Sequence, residues 1–271
     1  ISYAYLLSRF IAYLIKRTGI KEIHHANYYS LDSMAITLAA KRRSINVINF
    51  QHGVQTEDHP AFSCWKNIPL DGYEFLPTQF LCWDINSFNS MNQFFKNNKS
   101  HSVKLSNYDW VDAWKNQEIS FDFSDLETLS KDKFNILITL QPSIIGLQEA
   151  LKNCINKSPK DIKWWIRLHP RQNNISATKD IKKSIIDKID NVNIDYATAC
   201  PLPALLSITD LHITAHSSSI FEASYFNVPT ILTHKIGQDR YGPELGILNA
   251  VFCENEECII SKIEKEIGSR F

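Results

Sequence analysis

The stretch Asp210–Leu232, DLHITAHSSSIFEASYFNVPTIL, contains a strand, a turn, a short helix and a second strand with no residues to spare. Residues 211–214 alternate and are rich in β-forming types, which predicts a short buried strand. The serines at 217–219 lie where a helix would begin, and the predicted helix 219–226 ends before Pro229 opens the strand 229–232. A helix that begins at the carboxyl end of a strand in an α/β sheet is typical of an anion-binding site.

Length and composition exclude several classes of protein. The chain has 271 residues, which is comfortable for two domains, and its 29 basic residues equal its 29 acidic residues. The absence of a net positive charge argues against a nucleic-acid partner. The six cysteines form no C-x-x-C pair and no regular spacing, so we expect neither a zinc site nor a disulfide framework, and a reducing, cytoplasmic setting.

Alternation of strands and helices continues outward from this stretch on both sides. In the first half, strands at 22–28, 45–51 and 75–83 and helices at 31–43 and 86–95 predict βαβ units and a parallel sheet. In the second half, the predicted strands are 134–140, 162–168 and 192–194, and the predicted helices are 144–156, 178–189, 202–208 and 258–267. Residues 96–131 are polar and show little periodicity, so we place a domain boundary at their end, giving domains 1–128 and 129–271.

The first fifteen residues, ISYAYLLSRFIAYLI, are apolar but too short to span a bilayer. Leu6, Phe10, Ile11, Leu14 and Ile15 would share one face of a helix. We expect this helix to pack on the first domain, and a helix lying on a membrane surface is the alternative interpretation.

A strand that ends in His169-Pro170-Arg171 supplies the next candidate group. Pro170 removes a backbone donor and fixes the direction of the chain, so His169 would lie at the carboxyl end of the strand. Arg167 and Arg171 flank this histidine, and the planar guanidinium group matches phosphate oxygens.

Taken together, these motifs resemble a known family. A His-Pro-Arg after one strand, then a Ser-Ser turn opening a helix with Phe221-Glu222-Ala223, resembles the nucleotide-binding domain of GT-B glycosyltransferases. The resemblance is strongest to enzymes with cytidine-activated donors: bacterial sialyltransferases and polysialyltransferases, Kdo transferases, and CDP-glycerol glycerophosphotransferases. In the first half, Asn49–Gly53 (NFQHG) and the Pro-containing strand Phe75–Trp83 resemble segments of the capsule and teichoic-acid transferases.

The resemblance implies a GT-B-like α/β fold, in which two Rossmann-like domains with parallel sheets face each other across a cleft. It implies that the second domain binds the nucleotide of the donor, and that the cleft brings both groups of residues together. The implied nucleotide-binding residues are His169, Pro170, Arg171, His216, Ser217, Ser218, Ser219 and Glu222. For the base that activates the acceptor hydroxyl we expect His52, whose unperturbed pKa lies near neutrality, with Asp58 and Glu57 as rivals.

The expected function is therefore transfer of a CMP-activated acidic sugar, of the Kdo or nonulosonic type, onto a glycan or lipid-linked glycan acceptor in bacterial surface polysaccharide synthesis. The alternatives are a CDP-glycerol or CDP-polyol phosphotransferase and a non-catalytic nucleotide-sugar-binding module. No Asp-x-Asp stands at a strand end, so we expect a metal-independent enzyme without a resident cofactor. We expect it in the cytoplasm, with the inner face of the membrane as the alternative location.

Overall fold

The computed structural model describes residues 2–53, 59–142, 146–172, 175–184 and 190–270. It divides into two compact units, Ile1–Asp109 and Trp110–Phe271. Each unit contains one sheet, and every strand pair in both sheets is parallel.

The first unit is a four-stranded parallel sheet with the strand order β1-β2-β3-β4. Its elements are α1 (Ser2–Thr18), β1 (Glu22–His25), α2 (Leu31–Lys41), β2 (Asn46–Phe50), β3 (Gln79–Cys82), α3 (Ile85–Phe95) and β4 (Ser102–Leu105). Capping side chains set two of the helix starts: Ser30 accepts a hydrogen bond from the Ser33 N–H, and Asp84 accepts one from the Ser87 N–H. The predicted βαβ units of the first half are thus present.

Part of the long segment between β2 and β3 belongs to the core of this unit. Phe62 is 1% exposed and packs edge-on against Tyr28 and Phe80, while Phe80 stacks on Phe95 with ring centroids 5.7 Å apart. Such aromatic contacts stabilise beyond the area they bury. From residue 59 onward, this segment is therefore largely anchored to the unit.

His101 ties the end of this segment to the sheet. Its Nε2 accepts a hydrogen bond from the Tyr73 N–H (2.9 Å), and its Nδ1–H donates to the Pro77 carbonyl (2.7 Å). Gly72 has φ +71°, and a Cβ there would lie 2.2 Å from His101 Nε2, so the ring requires glycine at this position. Burial lowers the pKa of His101 to about 4.

Acidification is expected to destabilise the protein through His101. Because its pKa is lower in the folded than in the unfolded chain, only the unfolded chain takes up a proton between about pH 6.5 and pH 4. Stability from this group is complete above pH 6.5 and falls by about 1.4 kcal/mol per pH unit below it. Urea unfolding at pH 7.5 and 5.0 measures the loss. His101→Gln keeps one donor and one acceptor but does not titrate, so an unchanged pH dependence in that variant contradicts the prediction.

The second unit is a six-stranded parallel sheet with the order β10-β9-β8-β5-β6-β7. Its strands are β5 (Phe134–Thr139), β6 (Ile162–Arg167), β7 (Val192–Asn193), β8 (Leu211–Thr214), β9 (Thr230–Leu232) and β10 (Ala250–Phe252). Its helices are α4 (Asp109–Lys115), α5 (Ser124–Ser130), α6 (Glu149–Lys157), α7 (Ile175–Ser184), α8 (Asp195–Ala199), α9 (Leu202–Leu206), α10 (Ser219–Tyr225), α11 (Lys235–Tyr241) and α12 (Glu256–Arg270). Counted from β5, this is the 3-2-1-4-5-6 order of the Rossmann fold, and the direction of winding reverses between β5 and β8.

Both faces of the larger sheet are covered, which explains why β5, β8 and β9 are buried along their whole length. Period-two alternation sends Trp164 to one face, with helices α6 and α12, and Trp165 to the other, with α8 to α10. Both indoles are fully buried with their N–H groups paired, Trp164 to Ser158 Oγ and Trp165 to Asn135 Oδ1, each at 3.0 Å. Trp114 and Leu126 join the second face.

The polar segment 96–131 is more regular than its sequence indicates. It contains β4, α4 and α5, and the two compact units divide at 109/110. The reason is the packing of Trp114 and Leu126 on the larger sheet, which assigns both helices to the second unit. The domain boundary at 128/129 stays a prediction. Helices α8 and α11 and strand β10 were also not predicted.

Two expectations concern the whole chain: that it has no disulfide framework and that its first fifteen residues do not span a bilayer. Cys253 and Cys258 form a local disulfide, a pair that the spacing of the cysteines did not indicate. Among the described helices, none is long and apolar enough to cross a membrane.

Candidate functional site

The strand order brings two of the predicted motifs to one edge of the larger sheet. The serine turn follows β8 and the His-Pro-Arg segment follows β6, and β5 is the neighbour of both strands. Parallel strands lie about 4.8 Å apart, so the two motifs begin roughly 10 Å apart at the carboxyl edge. They flank the point where the winding reverses, which is where open α/β sheets bind ligands.

The serine turn links β8 to α10. Ser217 Oγ accepts a hydrogen bond from the Ser219 N–H (3.2 Å), which satisfies one of the free donors at the start of the helix. Ser217 and Ser218 are half-buried, whereas Ser219 is buried. The three serines therefore differ in what their hydroxyl groups can reach.

Ser219 belongs to a buried polar cluster that the sequence did not indicate. Its Oγ is hydrogen-bonded to Thr139 Oγ1 (2.9 Å) and His212 Nε2 (3.3 Å), and the same Nε2 lies 2.9 Å from Thr139 Oγ1. His212 Nδ1 is hydrogen-bonded to Thr230 Oγ1 at 3.1 Å. Complete burial lowers the pKa of His212 to about 3, so the ring is neutral. The Ser219 hydroxyl therefore anchors α10 to β5 and β8, and the nucleotide-binding roles of Ser217, Ser218 and Ser219 stay predictions.

His169 lies just past β6, as predicted, in a defined tautomer. Its Nδ1 accepts a hydrogen bond from the Arg171 N–H (3.1 Å), so the neutral ring carries its proton on Nε2. Pro170 begins a short 3-10 turn, closed by the Gln172 N–H on the His169 carbonyl (2.7 Å). Burial lowers the pKa of His169, and the charge of Arg171 adds to the effect. Arg171 itself is exposed.

Arg167 has a structural partner instead of a phosphate. Its guanidinium donates to the carbonyls of Ala197 (2.8 Å), Thr198 (3.3 Å) and Cys200, at the carboxyl end of α8. These are carbonyls that a helix end leaves without a partner, so Arg167 acts as a cap. Burial lowers the pKa of Arg167, while the nearby Cys200 and the Glu222 carboxylate act in the opposite direction. Glu222 is half-buried. Because it acts on Arg167, the last residue of β6, it lies within electrostatic reach of the end of that strand.

Helix α11 supports the serine turn from the β9 side. A Cβ on Gly237 would lie 2.4 Å from the Ala215 carbonyl oxygen, so α11 packs directly on the backbone of the turn. The Tyr241 hydroxyl donates to the His216 carbonyl (3.4 Å), and the His216 and His234 rings meet edge-on at 6.1 Å. Burial lowers the pKa of His216, and the charge of Arg240 also acts to lower it.

In the first unit, Gln51 holds the end of β2 against the end of β3. Its side-chain amide donates to Asp84 Oδ2 (2.5 Å) and Ser87 Oγ (3.0 Å), and its Oε1 accepts from the Trp83 N–H (3.0 Å). His52 follows immediately and its side chain is exposed at the carboxyl edge of the sheet. The two rival bases, Glu57 and Asp58, lie outside the described residues.

Within the described residues, no group of three or more His, Cys, Asp or Glu side chains could hold a metal ion. Metal independence and the absence of a resident cofactor stay predictions.

Comparison with known proteins bears on the fold. No family model matches the chain, and no curated protein matches it in sequence. Among solved structures, it is similar to a putative UDP-N-acetylglucosamine 2-epimerase from Listeria monocytogenes, with a TM-score of 0.67 and 15% identity over 98% of this chain and 70% of that one. The UDP-GlcNAc 2-epimerase from Neisseria meningitidis, bound to UDP-GlcNAc, has a TM-score of 0.66 and 15% identity over 98% of this chain and 73% of that one.

A glycosyltransferase from Rickettsia africae is similar over 98% of this chain and 71% of that one, with a TM-score of 0.53 and 15% identity. Its resemblance and that of the epimerases agree with the two parallel sheets described above. The chain has the GT-B fold. The prediction of two Rossmann-like α/β domains is thus confirmed, while their apposition across a cleft stays a prediction.

Proposed function

We propose that this GT-B chain is a nucleotide-sugar-dependent enzyme whose second domain binds the donor nucleotide at the carboxyl edge of the six-stranded sheet. The observation that carries the proposal is the placement of the serine turn and the His-Pro-Arg segment on either side of β5, at the reversal of winding. The Listeria and Neisseria neighbours, named for UDP-N-acetylglucosamine, share this fold.

In this proposal, each side chain has a distinct role. Ser217 and Ser218 contact a phosphate of the donor, and the exposed Arg171 neutralises its charge. The Nε2–H of His169 donates a hydrogen bond to the same nucleotide, because its Nδ1 is already occupied within its own turn. Glu222 accepts hydrogen bonds from the ribose or the sugar, and His216 lines the donor site next to the serines.

The proposed reaction is transfer of the sugar to an acceptor hydroxyl. Arg171, His169 and the serine turn stabilise the charge that develops on the departing phosphate, which needs no metal ion. His52 of the first domain takes the proton of the acceptor hydroxyl. The motif resemblance supports a CMP-linked acidic sugar of the Kdo or nonulosonic type as donor, with CDP-glycerol or another CDP-polyol as the alternative.

A uridine nucleotide is the competing donor, because one neighbouring structure contains UDP-GlcNAc. Thermal unfolding with CMP, CDP, UDP and GDP separates the two, since a ligand that binds only the folded state raises Tm. Stabilisation by CMP or CDP supports the cytidine donor. Stabilisation by UDP or GDP alone contradicts it.

Arg171→Ala is expected to weaken binding of the stabilising nucleotide by roughly ten- to hundredfold, the loss typical of one charge-assisted contact. Isothermal titration of both proteins measures the change. Arg43→Ala is the matched control, because Arg43 is equally exposed but lies in the first unit, after α2. Equal affinity in Arg171→Ala and in the unmodified chain would remove Arg171 from the site.

Epimerisation of a UDP-sugar is a second candidate function, favoured by the similarity to two UDP-GlcNAc 2-epimerases. An epimerase converts its nucleotide sugar without an acceptor. Incubation of UDP-GlcNAc alone, followed by product analysis, therefore distinguishes it from a transferase. A protein that binds nucleotide but turns over no activated sugar, with or without an acceptor, is instead the non-catalytic nucleotide-sugar-binding module.

A further inference from the structure

Only a narrow face of helix α1 is buried in the first unit. Ala4, Ser8 and Ile15 are buried, and Ile11 packs with Ile15 against α2 and β2. Of the five residues predicted to share a packing face, Leu6, Phe10 and Leu14 are instead exposed, and Tyr3 and Tyr13 are exposed beside them. The exposed fractions are 57% for Tyr3, 68% for Leu6, 60% for Phe10, 51% for Tyr13 and 42% for Leu14.

These five exposed residues form one continuous stripe, hereafter the α1 stripe. At about 100° per residue, they fall within an arc of roughly 100° on the helix, opposite the buried side. Contiguous exposed apolar surface of this kind marks a site of interaction with a protein or a membrane.

Basic side chains outnumber acidic ones on and beside helix α1. The helix contains Arg9, Lys16 and Arg17, all exposed, and no Asp or Glu. Arg9 and Lys16 lie together along one margin of the stripe, and Arg17 donates a hydrogen bond to the Tyr13 hydroxyl (3.0 Å) at its carboxyl end. Two carboxylates bond to the helix: Asp32 of α2 accepts from the Tyr3 hydroxyl (3.4 Å) at the amino end, and Glu74 accepts from the Tyr5 hydroxyl (2.9 Å).

We infer that the α1 stripe binds the surface of an anionic lipid bilayer. A helix of seventeen residues is about 25 Å long and would lie in the plane of the interface, with its apolar side chains among the acyl chains. Tyr3 and Tyr13 have the amphipathic rings that favour the headgroup level, and Arg9 and Lys16 are long enough to reach anionic headgroups beside the stripe. The excess of basic side chains along the helix favours an anionic bilayer over an apolar protein surface, which offers these charges no partner. The inference does not depend on the proposed enzymatic activity.

Sedimentation with vesicles tests the inference on the full chain. Vesicles of phosphatidylcholine alone are compared with vesicles that also contain phosphatidylglycerol. We expect binding to the anionic vesicles that salt weakens, and little binding to the neutral ones. Leu6→Ser combined with Phe10→Ser, and separately Arg9→Gln combined with Lys16→Gln, should each lower the bound fraction by about tenfold or more.

Leu70→Ser combined with Ile247→Ser is the matched control, since these side chains are 75% and 84% exposed elsewhere in the protein. This control should bind like the unmodified chain. Absence of binding to anionic vesicles, or equal binding by the Leu6/Phe10 variant, overturns the inference. A dimer in sedimentation velocity that dissociates in the Leu6/Phe10 variant, without vesicle binding, assigns the stripe to a second copy of the chain and also overturns it.

Discussion

His52→Ala is expected to lower turnover by at least about a hundredfold, the contribution typical of a general base, and to leave nucleotide affinity unchanged. The side chain is exposed one residue beyond the buried Gln51, whose hydrogen bonds to Asp84 and Ser87 fix the backbone there. A base for the acceptor hydroxyl acts in the transition state and does not touch the bound nucleotide. Its loss therefore appears in kcat and not in the Kd of the donor.

Turnover of the activated sugar that the nucleotide panel identifies, and titration with the corresponding free nucleotide, measure the two quantities. His24→Ala is the matched control, because His24 is an exposed histidine of the same sheet, in β1. Its described contacts are a hydrogen bond to Glu22 and an edge-on ring contact with Phe50. Full turnover in His52→Ala would show that His52 is not the base and would leave Asp58 and Glu57 as the candidates. Asp58→Asn and Glu57→Gln then decide between these two.

Gly237→Ala is expected to destabilise the protein by about 1–3 kcal/mol and to weaken nucleotide binding by tenfold or more. Two effects of opposite sign compete at this position. Alanine in a helix interior is favoured over glycine by about 1 kcal/mol. The new methyl group, however, would lie 2.4 Å from the Ala215 carbonyl oxygen, a contact that only movement of the backbone can relieve. The clash outweighs the helix propensity, and the backbone that moves is the serine turn.

Gly268→Ala measures the helix-propensity effect without the clash, because Gly268 is also helical and a Cβ there meets no atom within 4 Å. It should be neutral or stabilising by up to about 1 kcal/mol. Urea unfolding gives the stability of both variants, and calorimetric titration gives their affinity for the stabilising nucleotide. If Gly237→Ala is as stable as Gly268→Ala and binds with unchanged affinity, α11 does not position the turn.

The strands and helices that form the sheet edge could be predicted from local signals. The pattern strand, serine turn, helix and strand in Asp210–Leu232 is present with bounds that differ by at most one residue. It was predictable because β-forming side chains, capping hydroxyls and Pro229 act on the backbone within a few residues of themselves. The same holds for the His-Pro pair after β6. By contrast, α4 and α5 have weak local signals and owe their position to Trp114 and Leu126, which pack on distant strands.

The roles of individual polar side chains depended on contacts between distant segments. Arg167 and Ser219 both looked suited to phosphate, yet one caps α8 and the other bonds to Thr139 and His212. Nothing near His212 in the sequence distinguishes it from an ordinary strand residue. Its partner Thr139 is 73 positions away.

The sequence by itself determined that this protein is built from parallel βαβ units, and that serine and His-Pro motifs end two of its strands. These properties follow from periodicity and from capping and proline geometry, which operate over a few residues. Only the tertiary structure decided that β5 lies between those two strands, which hydroxyl groups point inward, and which face of α1 is buried. Those outcomes depend on which surfaces meet when segments distant in the chain pack together, and no local pattern encodes that choice.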